Sequence, residues 1–95
     1  MAAYVIADLE VKNSPALENY RAKVPGTIAK YGGRFLVRGG AHEVVEGSWN
    51  PTRMVVLEFP TMDALKRWYN SPEYQPLIAE RKAAAATDLI IVEGI

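Results

Sequence analysis

The spacing of apolar residues switches repeatedly along this chain, and each switch marks an element. Ala3 to Val11 alternates and is rich in β-formers, which predicts a strand. After Ser14-Pro15, an N-cap followed by proline at the first helical position, the spacing becomes helical: Leu17, Tyr20, Val24, Ile28 and Tyr31 fall on one face. Pro25 inside that pattern predicts a kink or restart. Gly32-Gly33 ends it, the first glycine suited to a left-handed C-cap. Arg34 to Arg38 reads as a second strand closed by Gly39-Gly40. His42 to Glu46 extends it past a glycine bulge, and Gly47 to Thr52 turns the chain into a third strand, Arg53 to Phe59. Pro60-Thr61 introduces a helix through Asn70, with Ala64, Leu65 and Trp68 inward. Ser71-Pro72-Glu73 starts a further helical piece that carries Tyr74, Leu77, Ile78 and Arg81 on one face. The alanine run Ala83 to Ala86 favours helix, and Thr87 to Glu93 is the last strand.

The order β-α-β-β-α-β predicts an α+β domain of ferredoxin-like topology over residues 1–95: a four-stranded antiparallel sheet with its helices on one face. Strand side chains alternate between faces. Val5, Ala7, Leu9, Phe35, Val37, Val55, Leu57, Phe59, Ile90 and Val92 make an apolar face for the helices. The other face takes Ile6, Asp8, Glu10, Arg34, Leu36, Arg38, Met54, Val56, Glu58, Leu89, Ile91 and Glu93. Its large aliphatic side chains would leave an apolar patch unusual for a soluble monomer. A second copy, sheet against sheet by two-fold symmetry, is the expected cover.

Composition narrows the function classes. Eleven basic residues balance eleven acidic ones, so no electrostatic footprint for nucleic acid or an anionic membrane exists. There is no cysteine for a disulfide, thiol nucleophile or thiolate metal site, and one histidine makes no metal cluster; no metal or cofactor is expected. Asp8 and Glu10 interrupt the start of the chain where a signal peptide would need apolar continuity. The longest aliphatic run, Leu89 to Val92, is too short to span a bilayer. These features predict a cytoplasmic protein.

Gly32-Gly33-Arg34-Phe35-Leu36-Val37-Arg38-Gly39-Gly40 resembles the glycine-flanked strand of the domain-of-unknown-function family numbered 1330. Glu46-Gly47, Trp49, Arg53, Glu58-Phe59-Pro60, Trp68-Tyr69, Ser71-Pro72-Glu73-Tyr74-Gln75 and Val92-Glu93-Gly94 support it over essentially the whole chain. The resemblance implies the dimeric α+β barrel superfamily, in which two ferredoxin-like units pair their sheets. Relatives of that fold include cofactor-free monooxygenases, muconolactone isomerases, haem-degrading enzymes and stress-responsive barrel proteins. The family carries no established reaction to transfer, and fold alone does not supply one.

Candidate chemistry rests on a few side chains. Asp8, Glu58 and Glu93 lie on three strands that the topology places side by side, and Arg34 and Arg38 lie on the strand next to Glu58. A carboxylate desolvated there can act as a base, with Glu58 the candidate, while Arg34 or Arg38 clamps a substrate carboxylate or enolate. The same residues can instead form structural ion pairs at the dimer face. His42, the only side chain that ordinarily titrates near neutrality, is the other candidate base, although its place after Gly39-Gly40-Ala41 suits a solvated loop. Tyr20, Trp68 and Tyr74, with Tyr69, are candidates to line a ligand pocket between helices and sheet, or simply to fill the core. The glycine pairs have neither dinucleotide-fingerprint nor P-loop spacing, and no nucleophile elbow occurs. Two functions fit: a homodimer binding a small organic molecule at the sheet as a cofactor-free enzyme of oxygenase or isomerase type, or a non-enzymatic ligand-binding or stress-related module.

Overall fold

The computed structural model describes residues Met1–Ile95. The elements are β1 (Ala3–Val11), α1 (Ser14–Lys30), β2 (Arg34–Arg38), β3 (Met54–Phe59), α2 (Met62–Tyr69), α3 (Gln75–Ala84) and β4 (Ala85–Glu93). The strands form one antiparallel sheet in the order β2-β3-β1-β4, the ferredoxin-like βαββαβ arrangement. Its helix-covered face holds the core. Val5, Leu57 and Phe59 from the sheet meet Val24 and Ile28 of α1, Leu65 and Trp68 of α2, and Leu77 of α3.

Local chemistry explains the element ends. Asn13, rather than Ser14, caps α1, its Oδ1 accepting from the Ala16 N–H at 3.1 Å. The helix runs continuously through Pro25, which removes one backbone donor without ending it. At its end Gly32, at φ +79°, donates to the Ala29 carbonyl and Gly33 to the Ile28 carbonyl, the reciprocal pattern of a Schellman motif. Thr61 caps α2 through Oγ1 to the Ala64 N–H.

Three expectations about the sheet are corrected. First, β2 ends at Arg38, and the chain from Gly39 to Arg53 forms neither strand nor helix, so His42 to Glu46 does not extend the sheet. Asp8 Oδ1 anchors the end of this segment instead, accepting from the Thr52 and Arg53 N–H groups at 2.8 and 3.2 Å. Second, Leu36 is an extra residue in β2. Phe35 pairs with Leu57, but Val37 pairs with Val56 and Arg38 with Val55. A bulge inverts the parity beyond it, so Val37 turns to the open face and Arg38 to the helix side. Third, β4 is inverted relative to its expected alternation. Val5 pairs with Ile91, Ala7 with Leu89 and Ala3 with Glu93, so Leu89, Ile91 and Glu93 face the helices, while Ile90 and Val92 join Ile6 and Tyr4 on the open face. Four consecutive aliphatic residues have no alternation to specify a face. The phase is set upstream, where α3 passes into β4 with no loop and both Ala84 and Ala85 are buried.

The helical piece expected from Ser71 begins instead at Gln75, after a turn. Ser71 Oγ donates to the Trp68 carbonyl at 2.7 Å and accepts from the Tyr74 N–H at 3.1 Å, bridging α2 to α3. No helix is long and apolar enough to cross a membrane.

Candidate functional site

Between the sheet and the helical layer lies a cavity of about 60 Å³. The inward residues of the strands make its floor, including Val5, Ala7 and Leu9 of β1 and Val55 and Leu57 of β3. Leu17, Val24 and Ile28 of α1 form an apolar wall, and Trp68 closes the α2 side. Trp68 is fixed by two contacts. Its Nε1 donates to Thr27 Oγ1 at 3.0 Å, and its ring stacks on Tyr74 with centroids 4.0 Å apart.

One end of the cavity is polar. The Ser71 turn delivers Tyr74 inward at the start of α3, and Arg81 follows seven residues later, two helical turns along the same face. Arg81 is only 4% exposed. Its Nη1 donates to the Tyr74 hydroxyl at 2.7 Å, and that hydroxyl lies 3.0 Å from the hydroxyl of Tyr20 on α1. Because the Tyr74 hydroxyl accepts from Arg81, its own O–H can donate to the Tyr20 oxygen, which leaves the Tyr20 O–H to donate onward. Burial raises the Tyr74 phenol far above its ordinary range, with the neighbouring Tyr20 adding to the rise and Arg81 opposing it. Burial by itself would weaken the Arg81 cation, but the Tyr74 and Tyr20 phenols outweigh it and the guanidinium stays charged. Two buried polar atoms here have no partner: Arg81 Nε and Thr87 Oγ1. Both residues line the cavity.

The other cationic groups of the lining are Arg21, Arg38 and Arg53. Arg21 is engaged by Ser14 Oγ at 3.2 Å and Glu18 at 3.9 Å. The Arg38 guanidinium lies 4.4 Å from the Phe35 ring centroid. Arg53 lies against Gly39, whose φ is +70° and whose missing Cβ leaves the space that the guanidinium fills. No carboxylate or imidazole lines the cavity.

The structure thus brings together Tyr20, Trp68, Tyr74 and, through the Leu36 bulge, Arg38. It places the remaining sequence candidates elsewhere. Glu58 and Arg34 pair on the open face, with Arg34 Nε and Nη2 each 2.8 Å from Glu58 Oε1. Hydrogen bonding from Arg34 holds the Glu58 carboxyl below the usual range, and hydrogen bonding to Glu58 holds the Tyr4 phenol opposite it above the usual range. Asp8 lies four residues along β3 from Glu58, opposite Met54, and Glu93 lies on the other face, so the three carboxylates do not meet. His42 is exposed in the β2–β3 connection, its Nε2 3.2 Å from Asn50 Oδ1. Arg81, Thr87 and Arg53 were not among the sequence candidates. The available signal was Arg81 itself, a cation on the apolar stripe of Tyr74, Leu77 and Ile78.

A four-stranded antiparallel sheet with helices on one side and a cavity beneath them defines a ferredoxin-like α+β protein. The chain belongs to the family described as Domain of unknown function (DUF1330), which matches residues 2–95. No curated protein matches the sequence. Among solved structures, a protein of unknown function from Rhodopseudomonas palustris is similar at TM-score 0.80 and 15% identity, covering 99% of this chain and 82% of that one. A dimeric ferredoxin-like protein of unknown function from Jannaschia sp. CCS1 gives TM-score 0.71 at 17% identity, with 99% and 100% covered. SnoaB, a cofactor-independent oxygenase from Streptomyces nogalater, gives TM-score 0.67 at 14% identity, with 99% and 93% covered. At these identities the likeness is one of fold.

Proposed function

We propose that this protein binds a small organic anion, a carboxylate or enolate, in the cavity between the sheet and α1 and α3. The observation that carries the reading is the pair of unpartnered buried atoms, Arg81 Nε and Thr87 Oγ1, in the wall of one apolar cavity. A buried guanidinium without a carboxylate is costly, and so is each unsatisfied polar atom. An anionic ligand relieves both at once. Arg81 Nε and Thr87 Oγ1 donate to it directly, and Tyr20 donates at the end of the chain running from Arg81 through Tyr74. The apolar walls hold the organic part and exclude water.

This donor set stabilises negative charge and contains no side chain to remove a proton, because Glu58 and His42 lie outside the cavity. That favours ligand binding over proton abstraction by either residue. The protein acts as a homodimer through its open sheet face, where Ile90 and Val92 lie exposed beside half-buried Ile6 and Val56 and the Arg34–Glu58 pair sets the edge. The similarity to a solved protein described as dimeric supports this pairing.

Arg81→Met tests the binding site. Replacing a buried unpaired cation by an apolar side chain of similar length leaves stability unchanged or raises it, by up to about 1–4 kcal/mol. The same change should abolish binding of benzoate or hexanoate measured by calorimetry. Loss of stability with binding retained would show Arg81 to be a structural residue and remove the proposal.

A further inference from the structure

The cavity has a second cationic end, and the strand register shows where it lies. The Leu9 N–H donates to the Arg53 carbonyl at 3.0 Å, and Leu9 pairs with Thr87, so Arg53, Leu9 and Thr87 form one row across the helix-side face of the sheet. Arg38, Val55, Ala7 and Leu89 form the next row. At about 4.8 Å per strand, the Arg53 and Thr87 backbones are roughly 10 Å apart. The β4 end holds Thr87, with Arg81 entering the lining from α3, the helix that runs directly into β4; the β2–β3 end holds Arg38 and Arg53. Between them the floor is apolar: Leu9, Ala7 and Val55.

Neither Arg38 nor Arg53 has a carboxylate partner, in contrast to Arg21, Arg34 and Arg67. Both are nevertheless positioned. Arg38 reaches the lining only because the Leu36 bulge turns it inward, and it lies over Phe35, itself a lining residue. Arg53 is seated on Gly39, whose positive φ and missing Cβ make the seat. The result is an apolar trough with carboxylate-free arginine at each end.

We infer that the ligand of this cavity is two-headed, an organic dianion whose first acidic group meets Arg81 and Thr87 and whose second meets Arg38 and Arg53. This rests on the anion site proposed above and adds its specificity. An α,ω-dicarboxylate, or an aromatic acid with a second acidic group across the ring, has the required form: two charges separated by a hydrocarbon body. Each guanidinium can hold a carboxylate through two parallel hydrogen bonds. A monoacid of the same length fills only one end.

Calorimetric titration of the complete protein with straight-chain monoacids and the matching α,ω-diacids of about four to eight carbons tests the inference, with benzoate and terephthalate as a rigid pair. For at least one pair the diacid should bind about tenfold tighter or more, the increment of one added charge-assisted contact. Arg38→Ala and Arg53→Ala, both at the less buried end, should each bring the diacid-to-monoacid ratio towards one. A ratio near one for every pair in the unmodified protein, with monoacids still bound, overturns the second head and leaves the anion site standing. A diacid advantage that survives loss of both arginines also overturns it, because the second group must then bind elsewhere. If no acid in either series binds, the anion site itself fails, and this inference with it.

Discussion

Gly33 shows how closely single residues are constrained. A Cβ at this position would fall 2.5 to 2.8 Å from three atoms of the Phe59 ring, which is fully buried and packed against Trp68 at a centroid distance of 5.2 Å. The ring cannot retreat without displacing Trp68, whose indole is tied to Thr27. Gly33→Ala should therefore destabilise the protein by about 1–3 kcal/mol, the usual cost of overpacking a core, read as a lower urea midpoint. An unchanged midpoint would mean that the backbone of Gly33 moves freely away from the ring. The glycine pair itself is visible in the sequence, and its first member behaves as a C-cap should. The demand on the second comes from a strand residue 26 positions away, which no local pattern contains.

At the scale of elements, the joints rather than the elements carry the information that the sequence withholds. The strands and helices follow from periodicity, but the Leu36 bulge and the loopless passage from α3 into β4 decide which side chains face the cavity. The long β2–β3 connection is another such joint, and it depends on one carboxylate. Asp8 holds the Thr52 and Arg53 amides and so fixes the point from which Arg53 enters the cavity wall. Asp8→Ala leaves those two donors without this acceptor, at a cost of about 1 kcal/mol or somewhat more. Amide hydrogen exchange at Thr52 and Arg53 should accelerate while the core strands keep their protection. Uniform acceleration across the sheet would instead make Asp8 a determinant of global stability.

The whole molecule has two differently used sheet faces. The covered face supplies the core and the cavity; the open face presents aliphatic side chains, with Ile90 59% and Val92 42% exposed beside Ile6. At about 25 cal/mol per Å² of apolar area, covering even a few hundred Å² contributes several kcal/mol before association costs. In the proposed dimer, Ile90→Lys should place a charge on the pairing surface and weaken association by about tenfold or more, as sedimentation velocity across a concentration series would report. The monomer fold should persist, because Ile90 faces away from the helices. A dimer unaffected by Ile90→Lys would show that pairing uses another surface.

The amino-acid order alone determined the βαββαβ succession, the α+β class and the family likeness. All of these rest on short-range spacing or on residues that occur together along the chain. It also marked Tyr20, Trp68, Tyr74 and Arg38 as candidates for ligand contact, without determining which shared a site. Only the tertiary structure decided that. Side-chain parity in a strand reverses with a single inserted residue, so the Leu36 bulge moved Arg38 to the helix side and left Arg34 behind with Glu58. The aliphatic run of β4 looked alike in either phase until Val5 and Ala7 paired with Ile91 and Leu89. The unpartnered atoms of Arg81 and Thr87 are likewise a property of three-dimensional surroundings: whether a polar atom has a partner depends on every chain segment that reaches it, and no single segment records that.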